Sequence, residues 1–201
     1  MRTAAVVLAA GAGSRYGGDK LRALLDGRPI LVRVVETARD AGLDPIVVVV
    51  PPGGALDDLK LGPVRRVVNP NPAEGLSSSV RLGLRALELE VTVDAAAILP
   101  GDQPRVRAVV IATLIDALDA SPATPFVVPR YSADGGANPV VARRSIWRLA
   151  DELAGDRGFG PVLAGHPELV RFVPVDGANP DIDTPADLER LARGSDRPTA
   201  R

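Results

Sequence analysis

The stretch that decides the fold is Ala4–Leu21, AAVVLAAGAGSRYGGDKL. Its first half is continuously apolar and Val-rich, as a strand covered on both faces is. The second half is rich in glycine and carries Arg15 and Lys20. Glycines let backbone N–H groups approach an anion closely, and the two cations add positive charge beside them. The same opening, one Arg before an apolar run over Thr3–Ala10, is also compatible with a short signal peptide. The valines and the cations that follow favour the strand-and-loop reading, and with it a cytoplasmic protein. Two commoner glycine motifs fail on spacing. A P-loop needs Lys directly after its last Gly and then Ser or Thr, whereas Asp19 intervenes here and Leu21 follows. A dinucleotide fingerprint needs an acid at the tip of the second strand, and that strand ends in Val47–Gly54, VVVVPPGG.

Further Val/Ile-rich runs occur at 45–52, 64–70, 94–102, 125–130 and 169–175, bounded by Gly and Pro. Helix-like stretches lie between them at 29–42, 77–90, 105–120 and 184–194. Strands alternating with helices predict a three-layer α/β/α sandwich around a mostly parallel sheet. Residues 1–193 read as a single domain and 194–201 as a flexible tail.

Composition removes several chemistries. With no cysteine and one histidine in 201 residues, thiolate sites, thiol catalysis and multi-His metal centres are excluded. A metal here sits on oxygen ligands, which points to Mg²⁺. A formal charge of −1 with interspersed signs, and 3% aromatic residues, argue against nucleic-acid or membrane surfaces. Asp102, just past an apolar strand in LPGDQP, stands where open α/β sheets bind ligands; alternatively it caps the next helix. Asp183, in NPDIDTPADL, is the better second oxygen ligand, since Asp181 follows Pro180 and reads as turn chemistry. Thr184 is a candidate N-cap with Pro185 at the first helical position. Gly75 and Ser77, Ser78 and Ser79 gather donors at a helix start, for a base edge, a ribose or simply the helix cap. Trp147 reads as packing, His166 as a loop residue, and Arg65, Arg66, Arg143 and Arg144 as solvated charge.

The order LAAG-x-G-S-R-x-G-x-x-K, N-P-x-x-x-x-G-L-S-S-S, L-P-G-D-Q-P and D-I-D-T-P resembles the MobA-like NTP-transferase family, most nearly its molybdenum-cofactor cytidylyltransferase branch. GGANPVVARR and GDRGFGPVL fit the same pattern, so the resemblance spans Val7 to about Leu188. It implies a Rossmann-like, GT-A-like nucleotidyltransferase fold and a nucleotide bound by Leu8, Ala9, Ala10, Gly11, Gly13 and Ser14. Arg15 and Lys20 would act on the phosphates as the catalytic cations, and Gly75 to Ser79 would hold the base opposite Ala9 and Ala10. Asp102 and Asp183 would hold Mg²⁺. The acceptor, expected to be molybdopterin, would lie toward Asn138, Pro139, Gly158 and Gly160, with contacts to a molybdoenzyme or chaperone as further partners. Ala at position 10 resembles CTP users. Relatives often carry an aromatic within the Asn69–Gly75 stretch, where this chain has none.

That chemistry suits a chain with no Cys and a single His to offer as a base. An acceptor phosphate is already ionised when it attacks the α-phosphorus, so catalysis reduces to positioning and charge neutralisation. Two rivals are an NAD(P)H-dependent oxidoreductase of the nicotine-blue type and a non-catalytic nucleotide-binding maturation factor for molybdoenzymes. The first lacks its ribose-binding acid; the second would bind NTP without releasing pyrophosphate.

Overall fold

β1 (Thr3–Leu8) is buried along its whole length in the computed structural model, which describes residues 1–11, 13, 16–133 and 136–195. Its alternate residues serve two cores. Ala5, Val7 and Ala9 pack on one side of the sheet, while Ala4, Val6, Leu8 and Ala10 pack on the other. A period of two with no polar face is what helices on both sides demand.

The hairpin β2 (Leu24–Leu25) and β3 (Arg28–Pro29) turns through Asp26 and Gly27, both at positive φ, as a tight two-residue turn requires. The main sheet adds β4 (Ile46–Val50), β5 (Arg65–Val68), β6 (Ala95–Pro100), β7 (Phe126–Tyr131), β8 (Val140–Arg143) and β9 (Val170–Val175). Its order is β5-β4-β1-β6-β8-β7-β9, and only β8 is antiparallel to its neighbours. The six long apolar runs all became strands. β8 escaped prediction because it is four residues long and follows a proline in a segment that otherwise reads as a loop.

α1 (Ile30–Asp40), α3 (Ala108–Asp119) and α5 (Pro185–Ser195) cover one face. α2 (Leu76–Leu87), a 3₁₀ segment over Arg144–Glu152 and α4 (Gly160–Gly165) cover the other. α1 ends where the sequence predicts: the N–H of Gly42 (φ +77°) donates to the Arg39 carbonyl, and that of Leu43 to Ala38. This pair of bonds satisfies the last carbonyls of the helix. Among the described residues no helix is long and apolar enough to cross a membrane.

The four arginines read as solvated charge cap carbonyls instead. Arg65 bonds the carbonyl of Ala86, and Arg144 those of Glu88, Glu90 and Val93, around the end of α2. Arg143 does the same for Leu118 near the end of α3, and Arg66 holds Leu56 and Leu59. Helix C-termini expose unpaired carbonyls, and a guanidinium carries enough donors to serve several at once. Trp147 is buried as expected, its indole N–H on the Ala142 carbonyl at 3.2 Å.

α2 lies very close to β1 because Gly83 has no side chain. A Cβ there would sit 2.2 Å from Val6 Cγ1 and 3.2 Å from Val49 Cγ2. Gly83→Ala should therefore destabilise by about 1–3 kcal/mol, the usual cost of overpacking, although alanine is the better helix former. Urea unfolding of the two proteins checks this, and equal midpoints would contradict the close approach.

Candidate active site

The parallel strands β4, β1 and β6 end at one edge, and the connections that leave β1 and β6 there run in opposite directions, to β4 and to β7. This crevice is where open α/β sheets take ligands. The ends of β1 and β6 touch: Gly101 donates its N–H to the Leu8 carbonyl at 2.9 Å, and a Cβ on Gly101 would lie 2.8 Å from that oxygen. Glycine before Asp102 thus brings the carboxylate to the tip of β1. Asp102 does not cap the next helix, since α3 starts only at Ala108, with Arg107 at the cap position.

A cavity of about 560 Å³ opens at this edge. Leu8, Ala9, Ala10, Gly11 and Gly13 form one wall, with Lys20 and Asp102 beside them. Gly75, Leu76 and Ser79 form part of the opposite wall, with Asp156. Ser14 and Arg15 lie outside the described residues. Ser77, Ser78, Asp183, Asn138, Pro139, Gly158 and Gly160 are not among its lining residues.

Lys20 is the centre of the charge pattern. Leu21, buried in the core, anchors the 3₁₀ turn Lys20–Arg22, and Arg22 ties that turn to Asp58 and the Ala55 carbonyl. The Lys20 ammonium lies 2.6 Å from Asp102 Oδ2 and 3.4 Å from Asp183 Oδ1, with 12% of its side chain exposed. Burial works against its charge, but the two carboxylates and their hydrogen bonds outweigh this, and its pKa lies above the ordinary 10.5. The two acids picked from sequence as metal ligands thus share one cation, supplied by the protein. Asp181 is drawn in as well. Burial of its carboxyl, then the charges of Asp102 and Asp183, push its pKa up from 3.8, although the residue keeps an edge open to solvent.

The opposite wall is built differently from the expectation. The N-cap of α2 is Gly75 at φ +91°, not a serine. The Leu76 N–H is capped from afar by Asp156 Oδ1 at 3.2 Å, and a Cβ on Gly75 would lie 2.4 Å from the Gly155 carbonyl carbon. Asn69, 1% exposed, donates through Nδ2 to Ser78 Oγ at 2.8 Å and Ser79 Oγ at 3.0 Å. Ser78 passes its own proton to the Gly75 carbonyl at 2.8 Å. These hydroxyls brace the wall, and Ser77 Oγ is buried without a partner. Asp156, Asn69, Gln103 and Asn179 were not singled out from sequence. Asp156 and Gln103 sit inside motifs quoted for their glycines and for Asp102, whereas Asn69 and Asn179 each stand in an ordinary-looking Asn-Pro turn.

Asp183 is held by the start of α5. Asp187 Oδ2 accepts the N–H groups of Asp183 and Thr184 at 3.1 and 2.7 Å, and Thr184 Oγ1 caps the Asp187 N–H at 3.3 Å. Thr184 is the N-cap that the sequence predicts, in a reciprocal box with Asp187. Hydrogen bonds from Thr184, and then from Asp183, hold the Asp187 carboxylate below its ordinary 3.8. A depressed carboxylate pKa adds stability above the ordinary value and loses it as pH falls through the folded one. Asp187→Asn should therefore be less stable than the parent at pH 7, with the gap closing below pH 3.8, as read by denaturant unfolding across pH. A gap independent of pH would contradict the charge-assisted cap.

Comparisons with known proteins agree with this geometry in part. The model of the MobA-like NTP transferase domain matches residues 5–170. A 2-C-methyl-D-erythritol 4-phosphate cytidylyltransferase of Frankia casuarinae is 42% identical over 137 residues, 64% of this chain and 48% of that protein. One from Streptomyces coelicolor is 39% identical over 168 residues, covering 74% of this chain and 61% of its own length. The chain thus spans about half to three-fifths of the curated relatives it matches. Among solved structures, Rv0371c of Mycobacterium tuberculosis in complex with manganese superposes with a TM-score of 0.78 at 25% identity, covering 96% of this chain and 99% of that one. The molybdenum-cofactor branch is not the one these curated relatives represent. Both are named for a methylerythritol phosphate acceptor, and neither name supports molybdopterin or a molybdoenzyme contact.

Proposed function

Because the chain belongs to the MobA-like NTP transferase family, we propose that it transfers a nucleotidyl group, CMP from CTP, to a small phosphate-bearing acceptor. The acceptor proposed is a polyol phosphate of the kind named for the Frankia and Streptomyces relatives. This reading takes residues 1–193 as one catalytic unit. The observation that carries it is the placing of Lys20 and Asp102 in a cavity walled by Leu8, Ala9, Ala10, Gly11 and Gly13, with Asp183 against the same ammonium.

Asp102 and Asp183 fit a divalent cation, because a single ammonium already reaches an oxygen of each. The manganese complex of the mycobacterial neighbour supports a divalent ion of this kind, and Mg²⁺ is the ion proposed. When bound, such an ion neutralises phosphate charge during displacement at phosphorus. The protein does the rest. The backbone of the glycine loop faces the triphosphate. Asp102 and Asp183 would hold the ion, which would leave the Lys20 ammonium free to meet the phosphates. The acceptor phosphate oxygen forms the new bond to the α-phosphorus, the bond to the β-phosphate bridge breaks, and pyrophosphate leaves with its charge. No protein base is needed, since the nucleophile is already ionised.

The decisive experiment incubates the protein with each NTP, Mg²⁺ or Mn²⁺, and either 2-C-methyl-D-erythritol 4-phosphate or molybdopterin, and follows pyrophosphate. Release with CTP and the polyol phosphate is expected. Release with molybdopterin alone would move the acceptor to the cofactor branch, and release with no combination would sink the transferase reading. Lys20→Met should slow turnover by about 10²–10³, the usual cost of one preorganised charge donor. The same variant should bind Mn²⁺ without nucleotide more tightly than the parent, because the ammonium no longer competes for the carboxylates. Weaker binding, read by electron paramagnetic resonance of free Mn²⁺, would contradict the shared position.

A further inference from the structure

Two acidic loops meet at the site, one after β6 and one before α5, and their spacing decides whether Asp102 and Asp183 can reach one ion. The main chain contributes a bond from the Ile182 N–H to the Asp102 carbonyl at 3.1 Å, with the Ile182 side chain fully buried. Side-chain amides make the rest of the connection. Gln103 directly follows Asp102, is 2% exposed, and uses both ends of its amide. Its Nε2 donates to Asp181 Oδ1 at 2.6 Å, and its Oε1 accepts from Asn179 Nδ2 at 3.1 Å. Asn179 is fully buried, and the same Nδ2 reaches the Asn138 carbonyl at 3.5 Å.

The chemistry leaves this arrangement no freedom. Turning the Gln103 amide over would set its oxygen against the Asp181 carboxylate, acceptor facing acceptor. The chain of contacts continues inward to Tyr131 on β7, whose buried hydroxyl feels the Asn179 side chain. The Tyr131 hydroxyl and Asn179 Oδ1 are both buried, and among the described residues neither has a hydrogen-bond partner. Buried amides in such a place are costly unless paired, and filling the same space with leucine would be the simpler way to make a core.

We propose that Gln103 and Asn179 are positioning residues, whose amide pair holds Asp181 and the loop around it so that Asp102 and Asp183 can share one cation. This deepens the metal assignment made above and rests on it. Neither residue touches substrate. Each acts through the carboxylates, as groups hydrogen-bonded to metal ligands commonly do. Asp181 is in this view the anchor for Gln103, and its charge is not what binds the ion.

The test uses the full chain and Mn²⁺ alone, with binding read by electron paramagnetic resonance and folding by circular dichroism and thermal melting. Gln103→Leu and Asn179→Leu should weaken Mn²⁺ binding by about 10–100-fold in the folded protein. Asp181→Leu, at the solvent edge, removes the same link without altering the buried pair and should do likewise even if the other two variants fail to fold. Asp181→Asn keeps an oxygen for Gln103 Nε2 and should bind Mn²⁺ like the parent. A role in core packing alone would lower the melting temperature and leave Mn²⁺ affinity unchanged, and that result overturns the proposal. So does loss of binding in Asp181→Asn to the level of Asp181→Leu, which would make Asp181 a ligand. Failure of the metal assignment itself looks different: the parent and Asp102→Asn would then bind Mn²⁺ equally weakly, and the proposal would fall with it.

Discussion

The burial of β1 on both faces is the constraint from which the rest of the molecule follows. A strand with no polar face must be central, so its neighbours β4 and β6 flank it and helices cover it above and below. Each of its valines, fully buried, contributes about 1.5–3 kcal/mol relative to exposure, and none of that is available to an edge strand. Such a strand cannot run on into solvent as it is. It ends in Ala9 and Ala10, still buried, and then in Gly11, and all three line the cavity. Gly101 draws the end of β6 against Leu8, and this contact sets Asp102 beside the loop. The active-site position is a by-product of where a wholly apolar strand has to stop.

Charge is arranged on that edge by three segments that the sheet brings together from distant parts of the chain. Lys20 comes from the turn after the glycine loop, Asp102 from the end of β6, and Asp183 from the approach to α5. The lysine pairs with the acids, because two carboxylates near each other and partly withdrawn from water need a counter-charge. In the proposed reaction the same three residues would answer a different charge balance, with a divalent ion on the carboxylates and the ammonium on phosphate. A site of this kind stores its catalytic charge in an ion pair.

Periodicity made the layers legible. The long apolar runs and the capped stretches such as Pro29–Gly42 became strands and helices, because burial on one or both faces leaves its mark on every residue of an element. β8 left no such mark, being four residues between longer partners. The same contrast divides the site. Gly75, Lys20 and Asp102 stand in motifs whose residue types have few other uses, and their convergence could be read ahead of any coordinates. Asp156 and Asn179 act through contacts with residues far along the chain, and no local pattern distinguishes such an Asn or Asp from one in a turn. The arginines misled for a related reason: a guanidinium on a helix-end carbonyl looks, in sequence, like any surface charge.

The two walls of the cavity are held by different forces, and this difference bears on specificity. On the α2 side, Asn69 braces Ser78 and Ser79, Asp156 caps the first turn, and Gly75 is pressed against Gly155, all through hydrogen bonds and close contacts that need no ligand. On the Lys20 side, an ion pair holds the ammonium against Asp102 and Asp183. In the proposed reaction the preformed wall faces the base and the ion-paired wall faces the phosphates. A wall that does not move can select by shape and hydrogen bonding, and it does so before the charges across the cavity rearrange. Binding energy from a well-fitting base is then available to separate Lys20 from Asp102. In the proposed reaction a poorly fitting nucleotide would leave the pair closed, and the ion pair would thereby couple recognition of the base to assembly of the metal site.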